Sequence, residues 1–362
     1  MRSTADAVAR LLPIVVVAFV SGCAWDLAYL ARQGVGQAEL LFAAQPVGRL
    51  LADATVSTDV KRRLALATAA RQFAKDVVGL DVKQQYKKVV FLDAPAVVYV
   101  VSAAPPTELR PYTWSYPWVG ALPYRGSFDL AEAEAEADVL ERRGFDVSVR
   151  LVSTYSLLGV LPDPILSSML YRREELDIVE TVIHELAHAT VFAPGQGAFN
   201  EGLATFVGRQ GRRQFVAEHF GPHSAVARRA SAIDDDDDAW VRAVQALAFD
   251  LRVRFAQGGE ADTLVDDKAS IYQAHQRHWQ LEVAPTLFSM STRSARLPEN
   301  NAELSAVGIY SLKQQLYEEA FDGCGGDWGC FVGLLRSVAG EPDPEVALAE
   351  RARTRTREVL LP

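Results

Sequence analysis

Residues 177–206 have the sequence DIVETVIHELAHATVFAPGQGAFNEGLATF, and this stretch decides the fold. Apolar residues in its first half recur around most of the circumference of a helix, which predicts a largely buried helix over residues 174–192. The Pro194-Gly195 pair ends that helix, and a second helix is expected from about Ala198. A short turn between two helices brings them side by side, so this pair is expected to organise the surrounding chain.

A polar stripe interrupts the first helix, where Asp177, Thr181, His184 and His188 share one face. The two histidines belong to an HExxH motif, in which positions i and i+4 can bind one zinc ion while the glutamate, here Glu185, reaches water instead of the metal. Polar groups on a mostly buried helix need partners, and a metal site supplies them. The alternative is a surface helix with two solvent-exposed histidines.

A catalytic zinc needs a third protein ligand and one open position. The expected third ligand is Glu201, because the turn reverses the chain and the second helix returns Glu201 alongside His184 and His188. We therefore predict one Zn²⁺ per chain on these three residues, with Glu185 as the catalytic base. The alternative for Glu201 is a carboxylate that only stabilises the start of its helix through the helix dipole. Thr205, one turn later, is a candidate to support the ligand.

The spacing from His184 to Asn200-Glu201 resembles the gluzincin clan of metallopeptidases, and the chain more closely resembles a family of bacterial lipoproteins called predicted aminopeptidases. The similar stretches are residues 20–23 (VSGC, which resembles a bacterial lipobox), residues 119–126, residues 155–164, the HExxH helix, residues 199–208 and residues 300–302 before Tyr310. The resemblance implies a zinc-dependent hydrolase that cleaves peptides, with aminopeptidase activity as the expected form.

Tyrosine commonly stabilises the oxyanion in gluzincins, which makes Tyr310 the first candidate for that part and Tyr124 the second. Either ring could instead be a core or interface aromatic residue. In gluzincin aminopeptidases a Gly-rich edge strand upstream of the zinc helix binds the substrate, and the similarly placed residues are Gly120, Ala121 and Tyr124. These three are the predicted substrate contacts.

The same strand in gluzincin aminopeptidases supplies a glutamate for the free ammonium group of the substrate, and this chain has no carboxylate there. A buried ammonium needs an anionic partner, so Asp163 or Asp129 would have to take that part. Two alternatives therefore stay open: an endopeptidase with the same zinc site, and a non-catalytic zinc-containing lipoprotein that acts as a scaffold or binding protein. Glu185 favours an enzyme, because a purely structural zinc site does not need it.

The N-terminus has the features of a targeting segment. Arg2 and Arg10 precede an apolar run over residues 11–20, which is too short to span a bilayer and ends at Cys23. The VSGC sequence resembles a bacterial lipobox, so we predict a signal peptide over residues 1–22, lipidation of Cys23 and a lipid-anchored protein of the cell envelope that faces the periplasm. The alternative is an ordinary secretory signal or a short anchor with an incidental cysteine.

Composition limits the remaining possibilities. With 49% hydrophobic and 23% charged residues, the 362-residue chain can bury a sizeable core. A net charge of −9 gives no basic field for a nucleic-acid partner. The acidic run Asp234–Asp238 is expected to be a solvated loop tip. Cys324 and Cys330 lie in a Gly-rich segment, where a disulfide and two free thiols are equally compatible with the sequence.

The whole pattern predicts an α+β fold that is mainly helical. Its segments are an N-terminal helical part (23–88), a small sheet with a packed helix (89–170), and a helical catalytic part (171–362) with a long helical hairpin at about 225–281. The hairpin turn is expected either at the acidic run or at Gly258-Gly259. One long helix is expected over residues 303–321, and the charged tail after Pro342 is expected to be partly mobile.

Overall fold

A computed structural model describes residues 42–92, 98–116, 120–152, 163–171, 175–289, 292, 294–311 and 314–360. The chain divides into two units, residues 1–44 and 45–362, and every strand and helix from Gln45 onward belongs to the second. None of the helices in the described ranges is both long and apolar enough to cross a membrane. The predicted signal peptide and the lipidation site at Cys23 lie outside the described residues.

Short strands and longer helices confirm the predicted α+β fold, mainly helical. The strands are β1 (Gln45–Pro46), β2 (Lys88–Val90), β3 (Val98–Ala104), β4 (Trp114–Tyr116), β5 (Gly120–Leu122), β6 (Arg125–Ser127), β7 (Asp146–Val152) and β8 (Ile165–Leu166). The helices are α1 (Val47–Ala52), α2 (Thr58–Asp76), α3 (Leu130–Arg142), α4 (Ser167–Leu170), α5 (Leu176–Thr190), α6 (Gly197–Phe220), α7 (Ala225–Ala256), α8 (Ala261–His278), α9 (Asn301–Ser311), α10 (Gln314–Gly323), α11 (Trp328–Val338) and α12 (Pro344–Leu360).

The main sheet has the order β6-β3-β7, with both pairs antiparallel. Helix α3 covers one face, where Ala133, Ala137 and Leu140 pack against Val101 and neighbouring valines of β7. Helix α9 packs on β3 and β7 as well. A second sheet, β1-β2-β8, pairs β2 and β8 in parallel, and β4 pairs with β5 as a separate two-stranded ribbon.

Helix α5 lies at the centre of the helical part, packed against α2 on one side and α6 on the other. Ile178, Val182 and Leu186 have no exposed surface, as the apolar pattern around this helix predicts. Helix α6 approaches closely because Gly208 faces α5: a Cβ there would lie 3.0 Å from Glu180 O and 3.1 Å from His184 Cβ. The backbones of the two helices are therefore held together at the level of the HExxH motif.

The acidic run is not a loop tip, and this prediction was wrong. Residues 234–238 lie within the continuous helix α7, and Asp234 and Asp236 are 5% exposed. Asp236 accepts hydrogen bonds from the backbone N–H groups of Phe288, at 3.0 Å, and Ser289. Tertiary partners therefore override the low helix propensity and the mutual repulsion of five adjacent carboxylates. The hairpin turn is at the other predicted place, Gly258-Gly259, where both glycines have positive φ.

The structure bears on three further expectations. The sequence also predicts a strand over residues 118–124, but β5 ends at Leu122 and β6 begins only at Arg125, because proline at position 123 cannot donate to a sheet. The helix expected over 303–321 is helical in both of its described parts, α9 and α10, and residues 312–313 between them lie outside the described residues. The tail after Pro342, expected to be partly mobile, is helical over residues 344–360, where helix α12 buries Leu348 and Ala352, one turn apart.

Cys324 and Cys330 form a disulfide in the turn between α10 and α11. Gly325 and Gly326 both adopt positive φ and close that turn, and the side chain of Asp327 caps α11 by accepting the N–H of Cys330 at 2.7 Å. Of the two states that the sequence left open, the structure has the disulfide.

Candidate metal centre

Three side chains from α5 and α6 meet at one point. His184 Nε2 lies 3.2 Å from His188 Nε2, and Glu201 Oε2 lies 3.5 Å from the first and 3.4 Å from the second. Within the described part of the chain, these residues form the one group of three His, Cys, Asp or Glu side chains placed to hold a metal. The Glu201 side chain is 13% exposed and that of His188 is 6% exposed, so the site is largely shielded from bulk water.

The donor set and the spacing fit a zinc ion. A tetrahedral zinc about 2.0–2.1 Å from nitrogen and oxygen ligands places those ligand atoms about 3.3 Å apart. The three observed separations of 3.2, 3.4 and 3.5 Å match this edge length closely. Two imidazoles and one carboxylate also leave a fourth position for water, which is the ligand count of catalytic zinc sites.

Electrostatics keep the carboxylate ionised. Burial opposes ionisation of Glu201, but the charges and hydrogen bonds of His188 and His184 outweigh it and hold the pKa of Glu201 well below its usual range. Burial likewise lowers the pKa of His188, but the carboxylates of Glu201 and Glu185 outweigh that effect and raise it. Negative charge thus converges on the point where the three ligand atoms meet, which favours a cation there.

The turn between α5 and α6 is fixed by Asn200, the residue before Glu201. Its side-chain oxygen accepts the N–H of Ala193 at 2.8 Å, and its side-chain nitrogen donates to Ala193 O at 2.8 Å, both buried. Behind this turn, the hydroxyl of Tyr317 donates to Phe199 O at 3.1 Å. Sequence reasoning quoted Asn200 as part of a motif but gave it no role; its role here is to set where Glu201 lies.

The predicted substrate strand lies against this same turn. A Cβ on Gly120 would lie 3.1 Å from Gly195 Cα, and Gly120 has a φ of +87°, so the close approach and the conformation both require glycine. Ala121 is exposed and pairs only with Ser115 of β4 among the described residues, which leaves one edge of β5 unpaired there. Tyr124 follows in the short connection to β6.

Glu185 has a tyrosine neighbour that sequence reasoning missed. Tyr86 is 4% exposed, and its backbone N–H donates to Asp163 O at 2.8 Å. Burial, then the negative charges of Glu185 and Asp163, raise the pKa of the Tyr86 hydroxyl well above its ordinary value. These three residues therefore share one electrostatic neighbourhood. No local sequence signal identifies Tyr86, which lies about a hundred residues before Glu185 in the chain.

The remaining predicted residues have varied positions. Tyr310 lies in the last turn of α9, a helix that packs on α6, but its side chain is outside the described residues. Asp129 caps α3 by accepting the N–H groups of Ala131 and Glu132, so its carboxylate is already used. Thr205 faces a cavity beside α6.

These features define a two-helix HExxH site with a glutamate from the second helix as the third candidate ligand. Residues 28–348 match the family described as "Putative aminopeptidase". The match covers most of the chain, so the protein belongs to this family, and the predicted resemblance is confirmed. No curated protein and no solved structure matches the chain. Family membership supports a peptidase-like function with a peptide as substrate.

Proposed function

We propose that the protein is a zinc-dependent peptidase with a preference for removing N-terminal residues. The observation that carries this proposal is the convergence of His184, His188 and Glu201 at 3.2–3.5 Å, with Glu185 between the two histidines in the sequence. A structural zinc site would need the three ligands but not Glu185. Family membership supports the same class of reaction.

The chain's own residues account for the proton transfers. When bound, zinc supplies a Lewis acid that lowers the pKa of water and polarises the scissile carbonyl. Glu185, half-buried on α5, accepts the proton of the attacking water and passes it to the leaving amine. Tyr310 and Tyr124 are the candidate donors to the oxyanion, and the buried Tyr86 shares the electrostatic neighbourhood of Glu185.

The free edge of β5 and the position of Asp163 support an exopeptidase. An extended peptide can add to a strand edge through main-chain hydrogen bonds, and Gly120 and Ala121 offer such an edge beside the α5–α6 turn. Asp163 is 4% exposed and belongs to the neighbourhood of Glu185, so we assign it as the partner of the substrate ammonium group. Asp129 is not assigned this part, because it caps α3.

We expect the zinc-loaded protein to cleave an alanyl anilide with a free amine faster than an N-acetylated, internally quenched peptide. Asp163→Asn should lower the rate on the free-amine substrate by roughly 10- to 100-fold, because the ammonium loses a charged partner, and should leave the blocked peptide nearly unaffected. The measurement is kcat/KM for both substrates, after chelation and after addition of zinc.

Asp129→Asn is the matched control, because asparagine caps a helix as well as aspartate does and both rates should stay at the wild-type level. Faster cleavage of the blocked peptide would reject the exopeptidase and leave an endopeptidase. No cleavage of either substrate by zinc-loaded protein would favour the non-catalytic scaffold.

We further propose that a lipid on Cys23 tethers the protein to a membrane of the cell envelope, facing the periplasm. The support is the ten-residue apolar run that ends in the VSGC sequence. Cys23→Ser should yield an uncleaved or soluble chain, whereas the wild-type chain should be extracted only with detergent. Intact-mass measurement of the extracted protein tests this directly, and a mature N-terminus at any other residue would contradict it.

A further inference from the structure

A cavity of about 610 Å³ lies beside the metal triad and is not used by the proposed proton transfers. Its wall includes Glu180 of α5, Thr205 and Arg209 of α6, Arg150 of β7 and Gln314 of α10. The side chain of Gln314 donates to the backbone oxygen of Gly202 at 3.3 Å, directly after the third candidate ligand. The cavity wall is therefore continuous with the helix that carries Glu201.

Helix geometry places the triad between this cavity and the substrate strand. Glu180 is one turn before His184 on the same face of α5, a rise of about 6 Å. In the other direction, α5 runs past His188 to the turn where Gly195 meets Gly120 of β5. A peptide that pairs with β5 and crosses the metal centre would thus continue into the cavity.

Arg150 is the partly buried cationic side chain of this wall that has no ion pair within the described residues. Successive strand residues point to opposite faces, and Val149 belongs to the face covered by α3, so Arg150 points to the other face. Asp146 shares that face and is paired with Lys268 at 2.8 Å. Arg150 has no ion pair within the described residues, and its buried Nε has no hydrogen-bond partner among them. The carboxylate of Glu303 acts on it only at longer range.

The two other arginines in the interior of the described wall, Arg209 and Arg212, are ion-paired. Arg209 pairs with Asp238 at 2.6 Å, and Arg212 pairs with Glu180 at 3.0 Å. Asp237 accepts a hydrogen bond from the hydroxyl of Thr292 at 3.1 Å. A guanidinium with a buried, unsatisfied donor is costly unless an anion binds it, so the unmatched charge in the interior of the cavity is that of Arg150. Arg242, another lining residue, lies on the exposed rim.

We propose that this cavity binds a peptide carboxylate on Arg150, so that the preferred substrates are short peptides with a free C-terminal carboxylate. The guanidinium offers a planar fork of donors that matches a carboxylate. The cavity volume of about 610 Å³ is large enough for about two or three side chains. This inference deepens the proposed peptidase function and rests on it.

The test compares alanine peptides of two to five residues, each as the free acid and as the C-terminal amide. For at least one length, the wild-type protein should prefer the acid by roughly 10- to 100-fold in kcat/KM, and Arg150→Gln should abolish that preference. Arg150→Lys should retain part of it. Arg252→Gln, at an exposed arginine of α7 outside the cavity, should retain all of it.

A second readout does not depend on turnover. Calorimetric binding of Ala-Ala-Phe and its amide to zinc-loaded Glu185→Gln protein should show the same preference for the acid and the same loss with Arg150→Gln. Thermal stability should not fall in Arg150→Gln, because an unpaired charge is removed. An arginine with a purely structural role would instead lower stability and leave the acid preference unchanged.

The outcomes separate the peptidase proposal from the carboxylate site on Arg150. They also distinguish a C-terminal carboxylate from an acidic side chain as the group that binds there. Binding of the acid by the Glu185→Gln protein, together with no turnover by the zinc-loaded wild-type protein, supports the cavity assignment and refutes the peptidase. Cleavage with equal rates on acids and amides supports the peptidase and overturns the cavity assignment. The assay also includes Ala-Glu-Ala-amide. An Arg150-dependent preference for this peptide over Ala-Ala-Ala-amide, with no preference for free acids, would overturn the C-terminal assignment and show that the site takes acidic side chains.

Discussion

We expect the His184→Ala/His188→Ala protein to retain no zinc, and the Glu185→Gln protein to retain one zinc per chain while losing peptide cleavage by about a thousandfold. The first change removes two of three converging ligand atoms, and one carboxylate alone does not hold zinc tightly. The second preserves the shape of the side chain but removes the general base, whose usual contribution is about 10²- to 10⁴-fold. Metal analysis after dialysis, set beside kcat, measures both effects.

His275→Ala is the matched control, because that histidine pairs with Asp250 at 2.8 Å and lies outside the triad. It should leave both zinc content and turnover at the wild-type level. Stoichiometric zinc in the double alanine variant would refute the metal assignment. Full turnover by the Glu185→Gln protein would refute the assignment of Glu185 as the catalytic base without affecting the assignment of the metal ligands.

Local sequence patterns were enough to locate helix α5, which carries the HExxH motif, and helix α6, which carries Glu201. The apolar pattern over residues 177–192 and the Pro194-Gly195 stop are signals within a few residues, and the structure has α5, a turn and α6 there. The approach of Glu201 followed from chain reversal alone. What the sequence could not give is how the turn is held, because the clamp by Asn200 and the close contact between Gly120 and Gly195 depend on three-dimensional packing.

The sequence did not predict a role for Tyr86 or Arg150, because their environments also depend on three-dimensional packing. Tyr86 comes near Glu185 because its backbone N–H, in the segment after α2, donates a hydrogen bond to Asp163 O. Arg150 lies in the interior because helices cover both faces of its strand. Neither has a neighbour in the sequence that marks it. The error over Asp234–Asp238 is of this kind too: a run of like charges is normally solvated, unless counter-charges from elsewhere in the fold surround it.

Those counter-charges are three arginines on α6. Arg212, 3% exposed, donates to Asp234 and also pairs with Glu180 of α5 at 3.0 Å. The side chain of Arg213 donates to the Asp234 carboxylate at 2.9 Å. The side chain of Arg209 donates to the backbone oxygen of Asp234, also at 2.9 Å. Asp234 therefore connects α7 to the two helices that carry the candidate metal ligands, through a buried ionic network.

Asp234→Ala should consequently lower the free energy of unfolding by about 3–5 kcal/mol, because it leaves the buried Arg212 with only Glu180 for a partner. The expected fall in Tm is on the order of 10 °C for a chain of this size. Asp235→Ala changes the adjacent, exposed carboxylate and should stay within about 0.5 kcal/mol of the wild-type protein. Urea unfolding of both variants in parallel measures the difference. No destabilisation by Asp234→Ala, or an effect no larger than that of Asp235→Ala, would contradict the stabilising role assigned to this ionic network.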